Sequence, residues 1–169
     1  MGDGDPTARQ GHDVTPLQAA SPDRVDRPSE AFAVEVALHT VAMIIGGVFD
    51  RFPRLKIVIG HGGEGLPFWL YRLDIMQDVV LGNRRDTKKL NRRISEYLKD
   101  NIYITTSGMA WAPAVLFTQQ VLGVDRVLYA MDYPYQYIPR EVKAMDKLPI
   151  SARDKKKFYQ TNAEKVFAL

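Results

Sequence analysis

Polar residues capable of chemistry follow three short apolar segments of the sequence. The first segment is followed by GHGGE (60–64), the second by TTSG (105–108) and the third by DYP (132–134). In parallel α/β folds, functional groups gather at the carboxyl ends of the strands. The coincidence predicts that these three groups share one edge of a parallel sheet.

His61 and Glu64 are the first candidates for general acid–base chemistry. His61 comes directly after an apolar segment and is flanked by glycines, which let backbone and ligand approach closely. Glu64 lies three residues later, where it could orient the imidazole and raise its basicity. The alternative is a helix-capping turn that contains an incidental histidine. We favour the catalytic interpretation, because a strand end is where acid–base residues are placed.

Asp132 and Arg72 are candidates with stronger alternatives. Asp132 follows a mostly apolar run, so its carboxylate needs a cation, a helix N-terminus or a metal. It could equally cap the following segment, since Asp-Tyr-Pro is also a good turn. Arg72 lies in an aromatic stretch, where it could bind a carboxylate or merely extend to solvent. Taken alone, the pattern favours the second interpretation for Arg72.

The elements that must position these residues alternate along the chain. Apolar or β-branched runs predict strands at 56–60, 102–106 and 126–131. Helical periodicity and end signals predict helices at about 29–52, 64–80, 86–99, 112–122, 140–147 and 151–166. This alternation is typical of parallel βαβ units. We therefore expect an α/β fold in which neighbouring strands follow the order of the sequence.

Composition narrows the class of protein. With 169 residues, 46% hydrophobic and 25% charged, the chain suits one soluble domain. No apolar run reaches membrane-spanning length, and the absence of cysteine fits a reducing cytoplasm. The basic residues between 84 and 93 lack interleaved aromatics, so we interpret them as a solvated helix face and expect neither a nucleic-acid nor a membrane partner.

The first 28 residues differ from the rest. They contain five aspartates, four prolines and no hydrophobic periodicity, which predicts a disordered lead-in. A folded domain is expected from residue 29 to residue 169.

Two long motifs resemble a known family. The stretch KIVIGHGGEGLPFWLYRLD (56–74) is similar to the sixth strand and loop of the amidohydrolase-related decarboxylases. Residues 101–108 and 126–135 resemble their seventh and eighth strands, and the chain end, residues 129–164, is most similar to the branch that acts on 5-carboxyvanillate. The resemblance covers about residues 31–169. It implies the C-terminal portion of a TIM-type (β/α)8 barrel, with about three parallel strands and intervening helices.

The resemblance also implies roles for individual residues. His61 and Glu64 would be catalytic, Asp132 would bind the metal and could take part in proton transfer, and Arg72 would bind the substrate carboxylate. The metal would be Mn or Zn, which an imidazole-and-carboxylate site admits. The implied activity is metal-dependent decarboxylation of a small aromatic hydroxy acid such as 5-carboxyvanillate. Related barrels hydrolyse amides or lactones, so a metal-dependent hydrolase is the alternative.

Part of the family's metal site has no counterpart in the sequence. The family places His-x-His or Glu-x-His after its first strand and a histidine after its fifth, and neither motif occurs here. His12 is the only candidate for the fifth-strand histidine, and its surroundings do not match. We therefore expect either a split decarboxylase that retains its metal only when the missing half is supplied in trans, or a non-catalytic truncated paralogue. A partial barrel exposes sheet edges and apolar surface, so we also expect a homo-oligomer.

Overall fold

A computed structural model of the chain describes residues 29–81, 89–136 and 138–169, with the side chains of 29–32, 80 and 81 left aside. The predicted disordered lead-in, residues 1–28, lies outside the described residues.

A three-stranded parallel sheet forms the centre of the described structure. Its strands are β1 (Ile57–Ile59), β2 (Ile102–Thr105) and β3 (Val127–Leu128), and their order is β1-β2-β3. Ile57 pairs with Ile102, and Ile104 pairs with Val127. The predicted alternation, the parallel pairing and the sequential strand order are thereby confirmed.

Helices surround and connect the strands. They are α1 (Ser29–Ile45), α2 (Val48–Arg51), α3 (Leu66–Met76), α4 (Ile94–Asn101), α5 (Ala112–Leu122), α6 (Pro139–Asp146), α7 (Ala152–Lys156) and α8 (Asn162–Phe167). Short 3-10 turns span His61–Gly63 and Val124–Arg126, and π-helical turns span Gln77–Leu81 and Lys157–Thr161. Gly47 separates α1 from α2 because its φ of 73° is in the left-handed region, which glycine adopts without strain.

The predicted helix at about 86–99 begins later than expected. Residues 82–88 lie outside the described part, residues 89–93 are not helical, and α4 begins only at Ile94. Side chains from elsewhere bind the backbone of this segment: Gln77 bridges the carbonyl of Arg92 and the amide of Ile94. The Glu96 carboxylate accepts the amide of Arg93 at 2.8 Å, which satisfies a donor at the helix start.

The third strand is shorter than the predicted 126–131. Beyond Leu128 the backbone donors bond outside the sheet ladder. The amide of Tyr129 donates to the carbonyl of Phe158 at 2.9 Å, and the amide of Ala130 donates to the Thr106 hydroxyl at 3.0 Å. The extended segment therefore leaves the sheet two residues after it enters it.

Two apolar clusters flank the sheet. The larger cluster joins the first two strands to the helices that precede and follow them, and its buried members are Ala37, Ile44, Phe49, Ile59, Leu66, Ile94, Tyr97, Leu98, Ile102, Ile104 and Leu122. The smaller cluster lies beside the third strand and comprises Val115, Val127, Met145, Leu148 and Phe158. Together they pack residues of all three strands against helices, as expected for strands that are largely apolar.

The basic segment forms ion pairs where it is described. Arg92 pairs with Asp100 and lies 5.1 Å from the ring centre of Tyr97, and Arg93 pairs with Asp78 at 2.9 Å. Arg84, Arg85 and Lys88 lie outside the described residues. Within the described ranges, the structure contains no helix that is long and apolar enough to cross a membrane.

Tyr97 provides a test of this packing. Its side chain is 1% exposed, its hydroxyl donates to the Asp50 carboxylate, and the same hydroxyl accepts the Arg92 amide at 3.2 Å. Tyr97→Phe removes both hydrogen bonds, and the Asp50 carboxylate keeps only the weaker bond from the Asn91 amide at 3.4 Å. We therefore expect the free energy of unfolding to fall by roughly 1–3 kcal/mol. Urea unfolding followed by circular dichroism measures this, and Tyr71→Phe, at a 78% exposed position, is the matched control.

The same residue predicts a pH dependence. Burial, followed by the hydrogen bond and charge of Asp50, raises the pKa of Tyr97 to about 12 from 10.0. Because the folded state keeps the proton longer than the unfolded state, this stabilisation is complete below pH 10 and is lost as the pH rises towards 12. The wild-type chain should therefore lose more stability across that window than Tyr97→Phe. Equal losses would contradict the assignment.

Candidate active site

Backbone strain marks the same residues that the sequence singled out. Among the described non-glycine residues, four have positive φ, and three of these are His61 at 52°, Glu64 at 56° and Asp132 at 67°. Such conformations cost of order 1–3 kcal/mol each and cluster at functional sites. The fourth, Ala168, lies one residue before the chain end. Apart from Ala168, the strain is therefore concentrated in two of the three loops predicted to carry chemistry.

His61 is held by the loop that follows β2. Its ring Nδ1 lies 2.7 Å from the carbonyl oxygen of Ser107, and its backbone amide donates to the Ser107 hydroxyl at 3.4 Å. The Ser107 hydroxyl in turn lies 3.1 Å from that of Thr105. The imidazole is otherwise exposed, so a ligand can reach its remaining nitrogen.

The loop that carries Asp132 reaches the same place. Thr106 both donates to and accepts from the backbone of Ala130, which ties the ends of β2 and β3 together. The carbonyl of Asp132 accepts the amide of Gln136 at 2.8 Å, closing a turn. A side chain built on Gly108 would lie 2.8 Å from Nδ1 of His61 and 3.5 Å from Oε1 of Gln136, so all three loops meet at Gly108. The predicted placement of His61, Ser107 and Asp132 at one sheet edge is confirmed.

Glu64 lies between two cavities. One, of about 340 Å³, is largely apolar and includes Phe68, Trp111 and Phe117 in its lining. The other, of about 380 Å³, is lined by β1 and α1 and includes both His61 and Glu64. Burial raises the pKa of the Glu64 carboxyl, and the neighbouring His61 charge opposes that shift. A half-buried carboxyl that is easier to protonate than usual can serve as a proton carrier.

The expected pairing of Glu64 with the imidazole has a different form in the structure. The hydrogen-bond partner of Nδ1 of His61 is the Ser107 carbonyl oxygen, and the charge of His61 acts on the Glu64 carboxyl by opposing the rise in its pKa. Sequence reasoning missed this contact because a main-chain carbonyl has no residue signature. The polar TTSG ending of the strand was the one available signal.

Arg72 is exposed on α3 and lines neither of the cavities beside Glu64. Within the described ranges it makes no ion pair. The structure therefore does not bring Arg72 together with His61, and its binding role stays a prediction.

The donor set does not by itself fit a complete metal site. No group of three or more histidine, cysteine, aspartate or glutamate side chains within 29–81, 89–136 and 138–169 is arranged to hold a metal ion. Asp132 supplies a carboxylate, but protein metal sites normally use three or more such ligands. The described residues alone therefore do not complete a metal site.

Comparisons with known proteins agree with this geometry. A family model described as Amidohydrolase matches residues 15–169. The γ-resorcylate decarboxylase of a Rhizobium species is 35% identical over 142 residues, which cover 84% of this chain and 43% of that protein.

Solved structures give the same result. A mutant form of 5-carboxyvanillate decarboxylase from Novosphingobium aromaticivorans, with bound manganese and 3-methoxy-4-hydroxy-5-nitrobenzoic acid, matches at a TM-score of 0.78 and 54% identity over 82% of this chain and 40% of that one. A dihydroxybenzoic acid decarboxylase from a Polaromonas species was solved with manganese and 2-nitroresorcinol. It matches at a TM-score of 0.75 and 33% identity, over 84% of this chain and 42% of that one.

The chain spans about two-fifths of the length of these relatives. Its three parallel strands with intervening helices match part of their TIM-type barrel, as the motifs at 56–74 and 126–135 predicted. The chain therefore belongs to the amidohydrolase family.

Proposed function

We propose that this chain forms the His61–Asp132 side of the active site of a metal-dependent carboxy-lyase that decarboxylates a small aromatic hydroxy acid such as 5-carboxyvanillate. The observation that carries the proposal is the concentration of positive φ at His61, Glu64 and Asp132. Three strained backbone positions in two loops at one sheet edge are difficult to explain as packing alone. The substrate class comes from relatives whose structures hold hydroxybenzoic acids.

The reaction requires a proton at the ring carbon that loses the carboxylate. The bond between that carbon and the carboxylate breaks, carbon dioxide leaves, and the carbon accepts a proton. His61 is the proposed proton carrier, because its ring is exposed at the site and oriented through Nδ1. Glu64 is a second proton carrier, since burial favours its neutral form.

Substrate orientation is assigned to Arg72. Its guanidinium makes no ion pair within the part of the chain that the structure describes, and a planar fork of donors binds carboxylates bidentately. Arg72 lies on an exposed face of α3. It can therefore bind substrate only if this face packs against the active site of another copy of the chain. Exposed Phe68, Tyr71 and Trp111 on and near this face support self-association.

The metal is the part of the proposal that needs more than the described residues. Relatives bind manganese, and Asp132 would supply one ligand of such a site. The remaining ligands have no counterpart among the described side chains. The whole sequence also contains neither His-x-His nor Glu-x-His, so activity depends on ligands from another polypeptide.

This dependence gives a direct test. The 169-residue chain alone should release no carbon dioxide from 5-carboxyvanillate or related hydroxybenzoates above the uncatalysed rate, with or without added Mn²⁺ or Zn²⁺. A second polypeptide that supplies the family's first- and fifth-strand ligands should restore metal content, measured by elemental analysis, and turnover. The same polypeptide with those ligands changed to alanine is the control. Strong metal-dependent turnover by the chain alone would contradict the proposal that this chain holds only part of the metal site.

In the restored enzyme, substitutions of Asp132 and His61 should have different effects on metal content and turnover. Asp132→Asn should abolish metal retention, because a carboxylate ligand is lost. His61→Asn should leave the metal content unchanged and lower kcat by roughly 10²–10⁴-fold, which is the usual contribution of a positioned proton carrier. Asp78→Asn, which changes an exposed carboxylate paired with Arg93, is the matched control and should change neither quantity. Loss of metal in His61→Asn would instead make His61 a ligand.

A further inference from the structure

The ring of His61 bonds to a group that can only accept a hydrogen bond. Nδ1 lies 2.7 Å from the carbonyl oxygen of Ser107, and a carbonyl has no hydrogen to donate. When the imidazole is neutral, one ring nitrogen carries the hydrogen and the other is an acceptor. The partner of Nδ1 therefore determines which tautomer is stable.

The same residue also holds the backbone of His61. The His61 amide donates to the Ser107 hydroxyl at 3.4 Å, and that hydroxyl lies 3.1 Å from the Thr105 hydroxyl. A side chain built on Gly60 would lie 2.9 Å from the Ser107 hydroxyl, so the two loops approach as closely as a glycine allows. Ser107 thus contacts His61 at two points, and the ring cannot turn without breaking one of them.

Gly108 is what lets the ring lie against this main chain. Its φ is 65°, and a β-carbon there would stand 2.8 Å from Nδ1 and 3.3 Å from Cε1 of His61. Real β-carbons do not approach a ring nitrogen so closely, so any side chain at this position would displace the imidazole. The hydrogen bond between Nδ1 and Ser107 therefore depends on the absence of a side chain at Gly108.

We propose that Ser107 and Gly108 are positioning residues whose main chain fixes neutral His61 in the tautomer with the hydrogen on Nδ1, leaving Nε2 as the free basic nitrogen. A proton carrier with one defined basic nitrogen delivers its proton from one point. That His61 carries the reacting proton rests on the function proposed above, whereas the tautomer itself does not.

Long-range ¹H–¹⁵N spectra of the histidine rings test this without any turnover. The full chain has three histidines, and His61→Asn identifies the signals of His61 by their disappearance. At about pH 8.5, above the ordinary titration range of histidine, His61 should show an excess of the Nδ1–H form over the Nε2–H form. The Nε2–H form would set the lone pair of Nδ1 against the Ser107 carbonyl oxygen, so the ratio of Nδ1–H to Nε2–H should exceed that of a free histidine by roughly 10–100-fold. His39, exposed on α1, is the internal reference.

Three variants distinguish the contact with the main chain from the effect of strain in general. Gly108→Ala should remove the excess and bring the His61 signals close to those of His39. Gly123→Ala is the matched control, because Gly123 has a φ of 100° but nothing lies within 4 Å of its added β-carbon. It also places a side chain at positive φ, but away from His61, and should leave the His61 tautomer unchanged. Ser107→Ala keeps the carbonyl and should also keep the Nδ1–H form.

The outcomes are decisive in each direction. A wild-type His61 that is mainly Nε2–H, or an equal mixture, overturns the proposal, as does a folded Gly108→Ala with an unchanged tautomer. If Gly108→Ala does not fold, the wild-type spectrum alone decides. An Nδ1–H excess in a chain that never acquires decarboxylase activity, even when completed, would uphold the tautomer and overturn the proposed function.

Discussion

The parallel pairing of three strands through β2 is the constraint on which the rest of the structure depends. Because β1 and β3 both pair with β2 in the same direction, the loops after all three strands must emerge at one edge. Each strand is only two to four residues long, so side-chain contacts add to the ladder. Thr106 provides one such contact by bonding the backbone of Ala130 in both directions.

Local sequence signals predicted the elements whose ends depend on nearby residues. They failed where side chains distant in the sequence bind the backbone. The β-branched runs located all three strands, and Gly123 ended α5 where the pattern required. The start of α4 was wrong because Gln77 binds the backbone on either side of Arg93. Gln77 lies 15 and 17 residues away from its partners, so no window of local periodicity contains this information.

Some features of the candidate site were likewise predictable from the sequence, and others were not. The positions of His61 and Asp132 in loops at one edge of the sheet were predictable, because a polar residue after an apolar run is visible in the sequence. The contact that orients His61 was not, because the Ser107 carbonyl exists at every residue and only the fold selects it. Arg72 is the opposite case. The sequence motif predicts it as a substrate-binding residue, but in the structure it lies on an exposed helix face away from His61.

The surface beside Glu64 has a consequence for spectroscopy. The chain has two tryptophans, and both are partly in water, with Trp69 39% and Trp111 65% exposed. Trp111 lines the apolar cavity near Phe68, and the Trp69 ring packs over Gly65. Tryptophan emission should therefore resemble that of indole in water even in the folded chain and change little on unfolding. It should instead shift to shorter wavelength whenever another molecule covers this face, so the intrinsic fluorescence of the chain reports association rather than folding.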